Sequence, residues 1–133
     1  LSFFNFSGRH LFVGVNHFVI RTNKPISAFL INNIAQKIRH NKAFMPSGTN
    51  VNFYKIIDSH TIEVHTYEKG IEKYMMSCAS GSTAACYDAF TNHLIKSPTT
   101  IINPGGTLVL EFDNNWNNAW LTGPAKIISQ VQH

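Results

Sequence analysis

The residues best suited to chemistry stand together in Ser77-Cys78-Ala79-Ser80-Gly81-Ser82-Thr83. Such a run of small and hydroxyl-bearing residues leads into a helix carrying Ala84, Ala85, Cys86, Ala89, Phe90, Leu94 and Ile95. The first backbone N–H groups of a helix have no intrahelical partner and are partly positive. They bind anions and lower the pKa of a thiol beside them. Gly81 removes a side chain that would keep a carboxylate or phosphate away. A thiol and an anion seat at one helix end can hold a carboxylate substrate with its α-carbon beside the sulfur. The same residues also read as a small buried cysteine followed by a serine cap, with no chemistry implied.

The other reactive side chains are less concentrated. Cys86 follows Cys78 by eight residues, about 12 Å along one helix. The two thiols therefore cannot flank one carbon, nor form a disulfide without unwinding the helix, and Cys86 is assigned to the core. None of the seven histidines pairs with Cys78 at metal-ligand spacing, so no metal site is expected. Glu68-Lys69-Gly70 reads as a charged turn ahead of the cysteine segment. His17 sits beside Asn16 in an apolar strand, where it is a hydrogen-bonded core histidine unless the strand end opens into a cleft.

The elements that must position these residues follow from periodicity. Leu11 to Arg21 is rich in Phe, Val and Ile and reads as a strand. After Pro25, the three- and four-residue steps of Ile26, Phe29, Leu30, Ile34 and Ile38 predict a helix, ended by Pro46-Ser47-Gly48. Two strands follow, Asn50 to Ile57 and Thr61 to Tyr67, joined by Asp58-Ser59-His60. Alternation of Ile62 and Val64 with Glu63 and His65 marks one wet face. A short strand is predicted over Glu72 to Met76. The helix after Cys78 has many small residues and few charges, so it should be buried on most sides, with Pro98 just past its end. Strands at Thr99–Ile102, Thr107–Phe112, Ala119–Thr122 and Ala125–Val131 complete the chain, separated by Pro104-Gly105-Gly106 and by a turn at Asn114 and Asn115. The expected class is α+β, a curled, barrel-like antiparallel or mixed sheet around a central helix.

Composition narrows the function classes. With 133 residues and 44% apolar content the chain can bury a core as a single domain, and disorder is excluded. No apolar run reaches the roughly 18 residues that span a bilayer. Two cysteines make no disulfide framework, so a disulfide-bearing secreted protein is disfavoured and the Asn5-Phe6-Ser7 sequon reads as incidental. The pI near 9.2 raises the question of nucleic acid. The densest cationic group, Lys37, Arg39, His40 and Lys42, instead reads as a solvated helix end, and aromatics do not alternate with the cations as a single-strand-binding surface requires. Leu1 to His10 lacks the basic start and apolar stretch of a signal peptide, and the first methionine is Met45. The expectation is a mature remainder or a fragment of something longer.

Six motifs in order resemble one family. Gly14-Val15-Asn16-His17 resembles a Gly-Asn-Pro-His segment, and Gly48-Thr49-Asn50-Val51-Asn52-Phe53 a Thr-Asn-Val-Asn-Phe strand. Tyr67-Glu68-Lys69-Gly70 stands where the family has an aromatic-Glu-Arg-Gly turn. Ser77-Cys78-Ala79-Ser80-Gly81 resembles Ala/Ser-Cys-Gly-Thr/Ser-Gly. Pro104-Gly105-Gly106 and Thr122-Gly123-Pro124-Ala125 resemble late Pro-Gly-Gly and Thr-Gly-Pro-Ala signatures. Together they resemble the C-terminal half of diaminopimelate epimerase over essentially the whole chain, residues 1–133.

That resemblance implies an isomerase that needs no cofactor and converts LL- to meso-diaminopimelate in lysine and peptidoglycan-precursor synthesis. It implies two similar halves with the active site between them, each giving one cysteine. One thiolate removes the α-proton and the opposite thiol delivers another. Cys78 would be this half's member and the N-terminal half of the same enzyme would supply the other. Ala79, Ser80 and Gly81 would bind the α-carboxylate through backbone N–H groups. Glu68 would hold the amino group, and Asn50 and Lys69 would read the distal carboxylate. His17 would assist thiol ionisation. A bacterial cytoplasmic location and a homodimer are also implied, with neither nucleic acid nor membrane as partner.

The sequence departs from the pattern at four places. Lys69 replaces an arginine and loses its bidentate fork. Val15 replaces an asparagine expected to read the distal end, for which Asn16 can substitute. Ala79 replaces a glycine, and Tyr74-Met75 replaces Glu-Thr. Acid–base chemistry is thus better supported than strict selection of diaminopimelate. A broader amino-acid racemase and an inactive half-domain that binds a carboxylate or a partner stand as alternatives.

Overall fold

A computed structural model describes residues 2–3, 6–13, 15–23, 36–39, 49–68, 73–75, 79–123 and 127–132. Ten strands are described: β1 (Ser2–Phe3), β2 (Phe6–Val13), β3 (Val15–Arg21), β4 (Asn50–Asp58), β5 (Thr61–Glu68), β6 (Lys73–Met75), β7 (Thr99–Asn103), β8 (Gly106–Phe112), β9 (Asn118–Thr122) and β10 (Ile127–Gln132). Two helical segments accompany them, α1 (Gln36–Arg39) and α2 (Ala79–Thr91). The strands form one mixed sheet in the order β1-β2-β3-β4-β5-β7-β8-β9-β10, with β6 added at β5. Pairing is parallel at β3/β4 and β5/β7 and antiparallel elsewhere. The second parallel step is a crossover that contains α2, as parallel neighbours require. The expected α+β class, with a curled mixed sheet around one central helix, is the architecture observed.

The small residues of α2 explain its place. Gly81 through Cys86 are all buried, and Ala84, Ala85, Cys86 and Ala89 enter the main core with Val19, Tyr54, Ile62, Val64, Ile101, Leu110, Ala119 and Leu121. Side chains this short let the sheet wrap closely on several sides. The opposite face of β3 and β4 is buried as well, by Phe18, Ile20, Val51 and Phe53, and α1 packs on β4 with Ile38 fully enclosed.

Three contacts fix the axial position of α2. At its far end, Tyr87 meets Trp116 edge-on at 5.2 Å and Phe112 stacks on Trp116 at 4.6 Å. Arg9 from β2 donates to Thr91 Oγ1 at 2.7 Å and covers the Tyr87 ring at 5.4 Å. Between these contacts, the buried Tyr54 hydroxyl donates to Asp88 Oδ2 at 2.5 Å. Desolvation first, then the Asp88 hydrogen bond, hold the Tyr54 phenol far above its ordinary range. A phenol raised in the folded state adds stability that is complete below its unfolded value, near pH 10, and is lost as pH rises past it. Tyr54→Phe is therefore expected to lower stability at pH 7 by about 1–3 kcal/mol, because the Asp88 carboxylate loses its buried donor. It should also flatten the decline above pH 10. Denaturant titrations of both proteins across that range check both effects.

The structure corrects several expectations. The segment Leu11 to Arg21 is not one strand: β2 and β3 form a tight hairpin in which Val13 pairs Val15 and Leu11 pairs His17. Apolar residues on both sides of Gly14 suit one strand as well as two that pair with each other. The central helix begins at Ala79 and ends at Thr91, leaving Leu94 and Ile95 outside it. The stop is a left-handed residue, His93 at φ 61°, with Leu94 N–H donating to Ala89 O and His93 N–H to Phe90 O. The wet face of β5 extends only through its first half, since His65 and Tyr67 are buried. The predicted helix over Ile26–Ile38 is described only at its end, in α1. The breaks at Pro46-Ser47-Gly48 and Lys69-Gly70 lie outside the described residues, as do Cys78, Pro124 and Ala125. No described helix is long and apolar enough to cross a membrane.

Candidate active site

The parallel register of β3 and β4 sets His17 directly beside Asn50. Both side chains are buried. Antiparallel β5 brings Tyr67 against Val51, so Glu68, the last residue of β5, ends at the same margin of the sheet. Above this margin lies the first turn of α2, which contains Ala79, Ser80 and Gly81. His17 Nε2 and Ser80 Oγ are 3.1 Å apart, which docks the strand histidine onto that turn. Four of the residues predicted for a site, His17, Asn50, Ser80 and Gly81, therefore meet at one sheet end, and the backbones of Glu68 and Ala79 end there too. Asn16 lies one residue before His17 in β3, paired with Phe12. The side chains of Asn16, Glu68 and Ala79 lie outside what the structure describes, as do Lys69 and Cys78, the residue joined directly to Ala79.

Beneath His17 lies a layer of polar side chains. Asn52 Nδ2 is 2.8 Å from His17 Nδ1, and Thr66 Oγ1 donates to Asn52 Oδ1 at 2.7 Å. Asn52 is fully buried and Thr66 nearly so, at 0% and 1% exposure. His17 is thus hydrogen-bonded at both ring nitrogens: it is a satisfied buried histidine, and it sits at the helix end. Asn52 and Thr66 were not singled out from the sequence. The available signal was the alternation of Asn50 and Asn52 with Val51 and Phe53 in a strand, where asparagine is disfavoured.

Gly81 has a structural purpose beyond the one read from sequence. A Cβ there would lie 2.2 Å from Asn52 Oδ1 and 2.9 Å from Thr66 Oγ1. The missing side chain makes room for the Asn52 amide and lets α2 settle onto β4 and β5. The first turn of α2 contains no acidic residue, so the positive end of the helix is not offset by a carboxylate of its own.

Cys86 is buried in the core, as expected, and desolvation pushes its thiol well above the ordinary range. Neutral and enclosed, it is a poor nucleophile. Iodoacetamide at pH 8 is expected to leave Cys86 unmodified in the native protein and to alkylate it once denaturant is added. Peptide mass spectrometry reads the difference. Among the described residues no group of three histidine, cysteine, aspartate or glutamate side chains could hold a metal ion.

Comparison with known proteins matches these features to one family. The sequence profile of the diaminopimelate epimerase family matches residues 10–128. The diaminopimelate epimerase of Aquifex aeolicus is 32% identical over 112 residues, 83% of this chain and 40% of that protein. That of Archaeoglobus fulgidus is 41% identical over 92 residues, 69% of this chain and 31% of that protein. The chain thus spans less than half the length of these curated relatives. Among solved structures, a phenazine biosynthesis protein of the PhzF family from Enterococcus faecalis superposes with a TM-score of 0.62 at 12% identity, over 80% of this chain and 36% of that one. A second such protein, from Clostridium difficile, gives 0.58 at 14% identity, over 79% and 36%. These structural likenesses concern the fold. The profile match takes in β3, β4, β5 and α2, the elements that assemble the polar sheet end, and by that match this chain belongs to the diaminopimelate epimerase family.

Proposed function

We propose that this chain, a single domain over 1–133, supplies one half of the active site of an epimerase that interconverts LL- and meso-diaminopimelate without a cofactor. Inversion at a carbon bound to hydrogen needs a base on one face and an acid on the other. Cys78 takes one position and a cysteine from an N-terminal half of the same enzyme the other. The thiolate removes the α-proton, leaving its electron pair on the α-carbon. The opposite thiol delivers its proton to the other face of that carbon and becomes the thiolate. The products are the inverted amino acid and an enzyme with the two roles exchanged, so one site runs the reaction in both directions.

The other residues hold the substrate in that geometry. The N–H groups of Ala79, Ser80 and Gly81 bind the α-carboxylate and stabilise the charge that develops on deprotonation. Glu68 holds the amino group. Asn50, Asn16 and Lys69 read the distal carboxylate, and His17 assists ionisation of the thiol pair. The observation that carries this reading is the His17–Ser80 hydrogen bond of 3.1 Å. It joins the strand bearing Asn16 and His17 to the helix end that follows Cys78. In this reading the enzyme is a bacterial cytoplasmic homodimer that works in lysine and peptidoglycan-precursor synthesis.

The test joins this chain to its N-terminal half and supplies LL-diaminopimelate, with products resolved by chiral chromatography. Meso product is expected, with glutamate and lysine turned over far more slowly. Comparable turnover of those amino acids would favour the broader racemase, to which Lys69 and Val15 lend support. No inversion of any substrate would end the proposal.

A further inference from the structure

We infer that Asn52 is a positioning residue that sets which ring nitrogen of His17 carries the proton. The inference rests on the proposed role of His17 for its effect on turnover, though not for its structural content. An asparagine side chain can present either its oxygen or its NH2 to a neighbour, so the orientation has to be fixed by surroundings. Thr66 Oγ1 lies 2.7 Å from Oδ1 and donates to it, but a hydroxyl could equally accept from an NH2 group in that place, so it follows the orientation. Gly81 makes the choice. A Cβ built on Gly81 would fall 2.2 Å from Oδ1, so the hydrogen that occupies that direction points at the same atom. A Cα–H aimed at a carbonyl oxygen is weakly attractive, whereas aimed at an NH2 group it meets other hydrogens.

With Oδ1 turned toward Gly81, Nδ2 faces His17 Nδ1 at 2.8 Å as a donor. Nδ1 must then present its lone pair. In a neutral imidazole the proton consequently resides on Nε2, the nitrogen 3.1 Å from Ser80 Oγ at the helix end. The order of donation is Thr66 to Asn52, Asn52 to His17, His17 to Ser80. Every member except Ser80 is almost fully buried, which excludes water as a substitute partner. The histidine thus approaches the helix end as a donor and not as an acceptor.

The substitution that tests this is Asn52→Asp, which keeps the shape but offers only acceptors. Thr66 can still donate to one carboxylate oxygen, and the other now requires a proton on His17 Nδ1. Nitrogen-15 NMR of histidine-labelled protein reads the tautomer directly in both proteins. The wild type is expected to show a protonated Nε2 and a bare Nδ1, and Asn52→Asp to show a protonated Nδ1. In the joined, active enzyme, kcat should fall by about 10–100-fold, the scale seen when a partner that orients a metal-bound imidazole is lost, with KM within about twofold. Asn52→Gln with Thr66→Ser is a second variant that retains the amide donor; it should keep the wild-type tautomer. A bare Nε2 in the wild type, or an unchanged tautomer in Asn52→Asp, would overturn the inference. Because NMR needs no substrate, failure of the epimerase proposal would leave that result standing, and the two failures are told apart.

Discussion

Replacing Cys78 by alanine in the joined enzyme is expected to lower turnover of diaminopimelate by at least about 10²–10⁴-fold, the usual contribution of a positioned acid or base. Binding should suffer far less, since carboxylate and amino contacts are assigned to Ala79, Ser80, Gly81 and Glu68. Cys86→Ala is the matched control. Its thiol is wholly enclosed among Ala84, Ala85 and Ala89, so losing the sulfur leaves a small void and reduces stability, with turnover expected within about twofold of wild type. The two thiols differ in environment rather than in kind. Cys86 lies inside the helix with its charged form excluded by desolvation. Cys78 is joined to the first residue of the same helix, and in the proposed mechanism the positive end of the helix dipole favours its thiolate. Steady-state kinetics on the two variants, with substrate binding measured separately, checks the contrast. Equal losses from both would contradict it.

Gly81→Ala should have the second largest effect, and its sign is informative. At an exposed helical position, glycine to alanine stabilises by about 1 kcal/mol. Here the new methyl would meet Asn52 Oδ1 at 2.2 Å and Thr66 Oγ1 at 2.9 Å. Neither neighbour is a loose surface side chain, because both are buried and bonded to each other. Overpacking of this kind costs about 1–3 kcal/mol, enough to reverse the helix-propensity gain. The structure can relieve the clash by moving Asn52, which releases His17, or by lifting the first turn of α2, which moves Ser80. Either way the polar sheet end is disrupted and activity falls with stability. Asn52→Ala opens the space that the methyl needs. In a double-mutant cycle the pair should therefore be less destabilised than the two single changes summed. Denaturant unfolding of the four proteins measures the coupling, and strict additivity would show that the contact is not the cause.

Much of the architecture was legible because local pattern and tertiary burial agree. The turn Asp58-Ser59-His60 sits between two β-branched and aromatic runs, and β4 and β5 form the expected hairpin. The small residues after Ser80 predicted an enclosed helix, and Gly81 to Cys86 are buried. Where the reading failed, the deciding contact was non-local or lacked a side-chain signature. Val13 and Val15 both suit a strand interior, and the one local signal of a reversal, Gly14 between them, was read only as part of a motif. The helix stops at a left-handed histidine, a role usually read from glycine. Recognition of the site residues came from motif order. Their convergence depends on the parallel pairing of β3 with β4, a pairing between segments 33 positions apart, His17 with Asn50, that periodicity does not encode. The Asn52–Thr66 layer was hidden for the same reason, since a buried asparagine makes sense only once its partners are known.

In the proposed mechanism Cys78 and a cysteine from a second half act on opposite faces of one carbon. The most direct test is the joined enzyme in D2O with LL-diaminopimelate, sampled at low conversion. With two acid–base groups, the proton removed and the deuteron delivered belong to different sulfurs. Meso product should therefore carry deuterium at the inverted carbon while recovered LL substrate keeps its proton, and the present chain alone should exchange neither. Deuterium entering recovered substrate as fast as product, or exchange catalysed by this chain by itself, would contradict the account.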